Sequence, residues 1–325
     1  MKRRRWLQAA LGAGAALSLG ATGAPRLRWR ERLLLGFGTT LRLKAAHEDL
    51  ALLGAALDEA VALLRRIEAQ MSLFDPRSAL CRLNREGRLA DPPGELLQLL
   101  RLARDVSAAS GGGFDVTVQP LWQAYALAQR QGRLPTRAEI ATARARVDWR
   151  RLRIADTELR FTMPGMAATL NGIAQGYAAD RVRQLLQQRG IAHALIDTGE
   201  HATLGRNPAD QPWALAVADP RDASRRLARL LADGRCIATS ADDASSFSAD
   251  HRHHHILDPR TGASPPALAS VTVAARSGAL ADALTKVMFM AGPGEALALA
   301  SQWRVDLLLV DKRGRVQTTL GLRVA

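Results

Sequence analysis

Apolar residues recur at helical spacing in two long stretches of the chain, and this pattern limits the possible folds more than any other feature. Within residues 47–71 the recurring apolar positions are Leu53, Leu57, Val61, Leu64 and Ile67. Such spacing places the side chains on one face of an amphipathic helix. Residues 95–110 repeat the pattern and run into three glycines, which end a helix. We therefore expect two long helices that each pack one face against a core.

Beyond residue 150 the sequence changes to short apolar runs separated by turns. The predicted strands in this part are residues 194–197, 213–218, 269–274 and 305–310. An earlier strand pair, broken by glycines, is predicted over residues 33–44. Two later helices are predicted, one that begins after Gly176 and runs to about residue 189, and one over about residues 279–290. Helices dominate the first half and strands the second, which predicts one mixed α/β (α+β) domain with no internal boundary.

The N-terminus has the features of an export signal. Arg3-Arg4-Arg5-Trp6-Leu7-Gln8 resembles the twin-arginine signature, an Ala/Gly/Leu stretch follows over residues 9–20, and small residues at 21–24 suit a cleavage site. The apolar stretch is too short and too rich in glycine for a stable membrane span. We expect residues 1–24 to be a twin-arginine signal peptide and residues 25–325 to be the folded domain in the periplasm. An uncleaved anchor at the inner membrane is the alternative.

Composition excludes several classes of protein. The 325 residues are 47% hydrophobic, which is too much for a mainly disordered chain. The net charge is +14, but the arginines are scattered along helices, and aromatic residues do not alternate with them as they do in nucleic-acid-binding stretches. We therefore expect no nucleic-acid partner. Cys81 and Cys236 lack metal-ligand spacing; two separate buried thiols are favoured, although pairing in an oxidising compartment is open.

Two glycine-containing segments suit a phosphate-bearing or flat ligand. In residues 169–180, Gly172 and Gly176 stand at the start of a predicted helix, where free N–H groups and the helix dipole favour an anion. In residues 110–122, glycines allow close backbone approach, and Phe114 and Trp122 offer aromatic surface. Taken singly, each segment is better explained as an ordinary turn or a helix cap.

Two further segments carry titratable side chains. His251 and the run His253-His254-His255 precede Asp258-Pro259-Arg260-Thr261-Gly262, which is turn chemistry. The histidines indicate either a metal cluster or a solvated loop, and only one of them needs to be functional. On the last predicted helix, Asp282 and Lys286 are four residues apart and share a face. That pair is either a simple helical ion pair or part of a cation site in a cleft.

The order and spacing of these segments resemble the FAD:protein FMN transferase family, known as ApbE. The matching residues run from Gly38-Thr39 through Met71-Ser72, Leu83-Asn84, Gly113-Phe114-Asp115, Gly172-Ile173-Ala174-Gln175-Gly176-Tyr177, Asp180, Trp213, Asp219-Pro220, Ala238-Thr239-Ser240 and His255-Ile256-Leu257-Asp258-Pro259-Arg260-Thr261-Gly262 to Ala281-Asp282-Ala283-Leu284 and Gly292. The sequence from Leu170 to Gly176 also resembles that of the NosX-type branch of the family. The resemblance implies a single large ApbE/T-fold-like domain.

The resemblance also implies a reaction and a site. FAD would be split at its pyrophosphate, FMN would be esterified to a Ser or Thr of a partner protein, and AMP would leave. The partner would be a membrane-associated respiratory or electron-transfer subunit. The residues implied to contact FAD are Phe37, Phe74, Gly113, Phe114, Asp115, Thr169, Gln175 and Ile256. Those implied to surround Mg²⁺ are Gly172, Asp282, Thr285 and Lys286. His255 is the implied base for the acceptor hydroxyl, since histidine titrates near neutral pH.

Some positions depart from the family pattern. The family usually has Met at 37, Asp at 169, Lys or Glu at 175, Thr at 286 and Gly-Gly-Asp in place of residues 198–200. Lys286 matters most, because an ammonium has no lone pair for a metal and would repel it. Three outcomes stay open: Lys286 turns away from Mg²⁺, it replaces the metal at the phosphates, or the chain is a catalytically impaired FAD-binding protein or flavin carrier. Hydrolysis of FAD with water as acceptor is a further alternative.

Overall fold

The computed structural model describes residues 27–324, so the predicted signal peptide lies outside the described residues. The strands of this range are β1 (Arg28–Gly36), β2 (Thr39–His47), β3 (Arg88–Ala90), β4 (Leu152–Ile154), β5 (Glu158–Phe161), β6 (His193–Asp197), β7 (His201–Leu204), β8 (Ala214–Asp219), β9 (Asp222–Leu231), β10 (Cys236–Ala241), β11 (Leu268–Ala275), β12 (Asp306–Asp311) and β13 (Val316–Thr318). The α-helices are α1 (Leu50–Met71), α2 (Ala79–Glu86), α3 (Gly94–Ala109), α4 (Gln119–Arg130), α5 (Arg137–Arg144), α6 (Ala174–Gln188) and α7 (Gly278–Trp303).

An eight-stranded sheet forms the centre of the fold, with strand order β1-β2-β6-β7-β10-β11-β12-β13. Neighbouring strands in this sheet are antiparallel. The strands predicted over residues 194–197, 269–274 and 305–310 are β6, β11 and β12. The strand predicted over 213–218 is β8, which pairs with β9 in a separate two-stranded hairpin. The prediction of a mixed α/β domain, richer in helices in its first half, is confirmed.

The strand pair predicted near residues 33–44 is the hairpin of β1 and β2. Gly36 pairs with Thr39, which leaves Phe37 and Gly38 as a two-residue turn. Both turn residues have positive φ, 52° and 78°. Two-residue turns of this kind match the right-handed twist of the strands they join, and glycine adopts such a conformation without strain. The glycine at 38 therefore ends the hairpin sharply beside the ring of Phe74, which a Cβ at 38 would approach to 2.7 Å.

The predicted long helices are α1 and α3. The buried side chains of α1 include Leu53, Leu57, Leu64 and Ile67, as the helical spacing indicated. These residues join α6, α7 and one face of the sheet in the largest core cluster. Gly111 and Gly112, just after α3, have φ of 60° and 82°, so the glycines end this helix by turning the chain left-handed. The helices α1, α6 and α7 are thereby held in one layer against the sheet.

The first turns of α6 and α7 pack backbone against backbone. A Cβ at Gly176 would lie 2.0 Å from the carbonyl oxygen of Gly278, so only glycine permits this contact. Helix α6 begins at Ala174, earlier than the predicted start after Gly176, so Gly176 lies inside its first turn. The interpretation of Gly176 as a phosphate-loop glycine is corrected. The Cα hydrogen that stands where another residue would carry its Cβ points at α7. The crossing places the segment before α6 next to residues 282–286 of α7.

Helix α7 contains a break at Gly292, and the predicted helix over residues 279–290 correctly ends before it. Gly292 has φ 71° and ψ 175°, and Pro293 follows it. A residue before proline is disfavoured in helical conformation, and proline has no N–H to donate, so the first helical segment ends there. The second segment continues to Trp303. Only the first segment reaches the cleft described below.

A smaller hydrophobic cluster, separate from the largest one, supports the loop that carries the histidines. Tyr125 of α4 is buried, lies 5.0 Å from the ring of Phe247, and donates a hydrogen bond of 3.1 Å to the carbonyl of Gly262. Leu121 and Leu257 complete the contact between α4 and this loop. The loop is therefore fixed to α4 on one side and to the sheet on the other. Within residues 27–324, none of the helices combines the length and apolar character needed to cross a membrane.

Candidate functional site

A cleft of about 840 Å³ opens beside the first turn of α6. Its volume is near the upper end of the usual range for ligand sites. The structure brings ten of the thirteen predicted site residues to its wall: Phe74, Gly113, Phe114, Asp115, Thr169, Gly172, Gln175, His255, Ile256 and Lys286. Segments that are more than 200 residues apart in the sequence meet here. Asp282 and Thr285 lie fully buried just behind this wall.

Aromatic side chains line one end of the cleft. The side chain of Phe74 is 64% exposed and that of Trp122 is 39% exposed, whereas Phe114 is buried. An aromatic ring that stays exposed at a cleft mouth is suited to stacking against a planar ligand. The hydroxyl of Ser72 accepts a hydrogen bond of 3.0 Å from the amide of Phe74 and fixes the backbone there. This end of the cleft therefore fits a flat, partly apolar ring system.

Phe37 is the one predicted aromatic residue that does not line the cleft. Its positive φ at the hairpin turn directs the side chain onto the large core, where it is partly buried. Its amide donates a hydrogen bond of 2.8 Å to Glu68 of α1. Phe37 is therefore not part of the cleft wall, and its contact with the flavin stays a prediction. The next residue, Gly38, touches the ring of Phe74, so the turn acts on the cleft only through Phe74.

Asp115 lines the cleft, and its carboxylate bonds both to its own loop and to the backbone at Trp149. One oxygen accepts hydrogen bonds of 2.7 Å from both the amide and the hydroxyl of Thr117, and the other accepts one of 3.0 Å from the amide of Trp149. Burial raises the pKa of Asp115 to about 6, against the opposing effect of these hydrogen bonds. The carboxylate thus holds the backbone of Gly113 and Phe114 in place at the cleft.

Thr169 and Gln175 flank the start of α6. The amide of Thr169 donates a hydrogen bond of 2.7 Å to the carbonyl of Val116, which joins this segment to the Asp115 loop. The side chain of Gln175 lies against Gly199, where a Cβ would be 2.3 Å from the Gln175 amide nitrogen. Gly199 also has φ 95°, so both space and backbone conformation require glycine. Gln175 is thereby held against the turn that leads to Glu200.

His255 is the histidine that faces the cleft. Its Nδ1 lies 3.0 Å from the carbonyl oxygen of Ser245. A carbonyl only accepts, so Nδ1 carries the proton, and Nε2 is left with a free lone pair. Burial is the main cause that lowers the pKa of His255, which favours the neutral ring near neutral pH. The neighbouring Ile256 is buried at the cleft wall.

The other histidines of this loop have structural positions. His254 is fully buried, its Nε2 lies 3.3 Å from the carbonyl oxygen of Pro265, and burial lowers its pKa to about 4. His251 and His253 do not line the cleft. No group of three or more His, Cys, Asp or Glu side chains within residues 27–324 is arranged to hold a metal ion. The alternative of a histidine metal cluster is therefore wrong for the described part of the chain.

Asp282 and Lys286 form an ion pair at the inner wall of the cleft. The Lys286 ammonium contacts one Asp282 carboxylate oxygen and lies 3.1 Å from the Asp282 carbonyl oxygen. The other carboxylate oxygen accepts a hydrogen bond of 3.3 Å from the amide of Gly176. Thr285 donates a hydrogen bond of 2.7 Å to the Asp282 carbonyl, and its hydroxyl is 2.7 Å from that of Ser240. Residues 282–286 are therefore linked by hydrogen bonds to one another, to Gly176 and to Ser240.

Comparison with known proteins identifies the family. The model of the ApbE family matches residues 37–309. The chain belongs to the ApbE family. The FAD:protein FMN transferase of Treponema pallidum is 29% identical over 92% of this chain and 89% of that protein. The enzyme of the same name from Salmonella typhimurium is 28% identical over 75% of this chain and 73% of that protein.

Solved structures of the ApbE family have the same fold. The ApbE protein of Thermotoga maritima superposes with a TM-score of 0.81 at 26% identity, covering 90% of this chain and 97% of that one. The flavinyl transferase ApbE of Pseudomonas stutzeri, in its apo form, has a TM-score of 0.77 at 28% identity over 91% of this chain and 95% of that one. These comparisons do not test assignment to the NosX-type branch, which stays a prediction.

The predicted magnesium set of this ApbE chain is brought together but does not fit a magnesium ion. Mg²⁺ requires near-octahedral oxygen ligands at short distance. The Asp282 carboxylate and the Gly172 carbonyl are donors of the right type. However, the Lys286 ammonium lies against the Asp282 oxygens, and a Cβ at Gly172 would be only 3.0 Å from the Lys286 side chain. A positive group without a lone pair thus lies against the Asp282 oxygens, and its side chain passes beside Gly172.

Two residues without an assigned role complete the ApbE cleft. Glu200, which lines it, accepts a hydrogen bond of 3.0 Å from the amide of Thr239; burial and the neighbouring Asp282 raise the pKa of its carboxyl well above the usual range. Asn84 exchanges hydrogen bonds of 2.8 and 2.7 Å with the backbone of Ala168, next to Thr169. Asn84 lies in the segment Leu83-Asn84, which carried the family resemblance, whereas Glu200 lies in residues 198–200, where the chain departs from the family pattern.

Proposed function

We propose that this chain is an FAD:protein FMN transferase that moves FMN from FAD to a Ser or Thr hydroxyl of a partner protein. The observation that carries the proposal is the position of His255. Its Nδ1 is bonded to the carbonyl of Ser245, so a base with a free Nε2 lines the same cleft as Phe74 and Lys286. Relatives that align over most of the chain are named for this activity. The aromatic end suits the flavin ring, and the Lys286 end suits the phosphates.

The transfer is a displacement at the phosphorus atom of the FMN half of FAD. The acceptor hydroxyl oxygen forms a new bond to that phosphorus while its proton passes to Nε2 of His255. The bond from the same phosphorus to the bridging oxygen breaks, and AMP leaves with that oxygen and its electron pair. Phosphoryl transfer of this kind depends mainly on positioning and on neutralising oxygen charge. The fixed loop at Asp115 and the Lys286 ammonium supply these two needs.

The location and the acceptor follow from the N-terminal sequence and the chemistry. Residues 1–24 have the features of a twin-arginine signal, so we place the folded domain in the periplasm or at the periplasmic face of the inner membrane. The acceptor is then a protein whose hydroxyl is exposed on that side, such as a membrane-associated respiratory or electron-transfer subunit. Magnesium stays a prediction from the family resemblance, and the residues around Lys286 argue against it.

Co-expression tests the proposed activity. The full chain is produced with each exported Ser- or Thr-containing redox protein of the same organism, and covalent flavin is detected by in-gel fluorescence and by a mass gain of one FMN less one water. Transfer predicts one or more labelled acceptors and AMP release that depends on the acceptor. FAD retention without any label or AMP would instead identify a flavin-binding protein, the alternative that Lys286 favours. AMP release without an acceptor would identify a hydrolase.

A further inference from the structure

The Lys286 ammonium occupies the position in which a cation would face both Asp282 and a ligand in the cleft. We propose that Lys286 is a cation built into the protein that replaces a divalent ion, so that FAD is bound and its FMN transferred without Mg²⁺. The inference rests on the proposed function and concerns how the same cleft handles the pyrophosphate. A transferase that must bind a metal ion before it binds FAD would differ from this chain in that requirement.

The hydrogen bonds of Lys286 leave one donor for the ligand. An ammonium has three N–H groups. One donates to an Asp282 carboxylate oxygen and a second to the Asp282 carbonyl oxygen, 3.1 Å away. The Lys286 side chain is 20% exposed and lines the cleft. The third N–H is therefore available to a phosphate oxygen, as a lysine is in phosphate-binding loops.

The surroundings of Lys286 are shaped to admit its side chain. A Cβ at Gly172 would lie 3.0 Å from Cε and 3.5 Å from Cδ of Lys286, so a larger residue there would crowd the lysine. An ammonium is a compact point charge, whereas a guanidinium is a wider planar group. The chain contains only four lysines among its 45 lysine and arginine residues. A lysine at this position is thus unusual for the composition.

The charge of Asp282 requires a cation at this place. The Asp282 side chain is 1% exposed, and Lys286 is its ion-pair partner among the described residues. A buried carboxylate without a partner is strongly unfavourable. Either a lysine or a metal ion meets this requirement, but both together would place two positive groups against the same oxygens. The lysine therefore excludes the metal instead of assisting it.

A matched lysine elsewhere provides the control. Lys312 contacts the fully buried Asp242, its side chain is 22% exposed, and it does not line the cleft. Asp242 also pairs with Arg221, so K312M keeps a cation at that carboxylate. The variants K286M and K286T remove the ammonium, and K286T also supplies a hydroxyl oxygen. Circular dichroism spectra identify any variant that fails to fold.

The experiment measures the Kd for FAD by flavin fluorescence, for each protein in EDTA and in millimolar Mg²⁺. We expect wild type and K312M to bind FAD equally under both conditions. K286M should bind roughly tenfold to a hundredfold more weakly under both, the loss expected for one charge-assisted hydrogen bond. K286T should recover affinity only in Mg²⁺. Metal analysis of the wild-type protein should find no stoichiometric magnesium.

The wild-type measurement decides the inference even when the variants do not fold. Loss of FAD binding in EDTA, with recovery in Mg²⁺, would overturn it and leave the proposed transferase intact. Equal affinity of K286M and wild type would overturn it as well. Failure to bind FAD under either condition would instead remove the proposed function, and the inference with it.

Discussion

Gly176 of α6 and Gly278 of α7 touch backbone to backbone, at a distance that admits no Cβ on either residue. This contact brings the amide of Gly176 to the Asp282 carboxylate, at 3.3 Å. The close approach of two helices therefore builds the inner wall of the cleft. The glycine contributes to the site by packing, and its amide is used by the Asp282 carboxylate.

The first prediction concerns this contact. Gly176→Ala should lower the free energy of unfolding by about 1–3 kcal/mol or more, because the added methyl group overlaps the Gly278 carbonyl. It should also weaken FAD binding by moving Asp282. Urea denaturation and flavin titration measure the two effects. Gly54→Ala is the control: this glycine of α1 has open space around it, and alanine there should stabilise the helix by up to about 1 kcal/mol. Equal stability of both variants would contradict the packing argument.

The second prediction concerns His255 as the base. His255→Gln should reduce the rate of FMN transfer by about 10²–10⁴-fold, the usual contribution of general base catalysis. The Kd for FAD should change little, since the glutamine is polar and similar in size. Acceptor labelling and AMP release report the rate. His253→Gln, two residues away and outside the cleft lining, should transfer at the wild-type rate. A slow His253 variant or a fast His255 variant would remove the assignment.

The third prediction concerns Phe74 and the flavin ring. Phe74→Ala should weaken FAD binding by about 1–3 kcal/mol, the range for stacking of a planar ring on an aromatic side chain. Thermal stability should not change, because this side chain is 64% exposed. Leu127→Ala is the control, since Leu127 is similarly exposed, at 57%, and lies outside the cleft lining. Undiminished affinity of the Phe74 variant would show that the ring binds elsewhere.

The fourth prediction concerns stability in acid. Burial lowers the pKa of His254 from 6.5 to about 4, so the unfolded chain takes up this proton before the folded protein does. The neutral buried ring therefore stabilises the fold fully above pH 6.5, and this contribution falls as the pH drops towards 4. We expect wild type to lose stability relative to His254→Gln between pH 6.5 and 4 and no further below. Urea denaturation of both proteins across this range measures the difference, and parallel curves would contradict the prediction.

The amphipathic helices were predictable because their signal is local. The apolar spacing of α1 and α3 follows the 3.6-residue period of a helix. The glycines after α3 end that helix, and neither signal depends on the rest of the chain. The strands β6, β11 and β12 were predictable for the same reason. The start of α6 was misplaced, since Gly176 is a poor helix former and becomes suitable only when α7 packs against it.

The sequence alone determined the mixed fold class and the main helices and strands, because periodicity and turn chemistry are local properties. The set of segments that form the cleft came from the order of motifs along the chain, through the resemblance to the ApbE family. The tertiary structure decided how those segments are used. Only the packed loop shows which histidine has a free Nε2, and only the hairpin turn directs Phe37 away from the cleft. Only the crossing of α6 and α7 places Gly172 against Lys286. These outcomes depend on contacts between residues that are far apart in the chain, and spacing along the chain does not specify them.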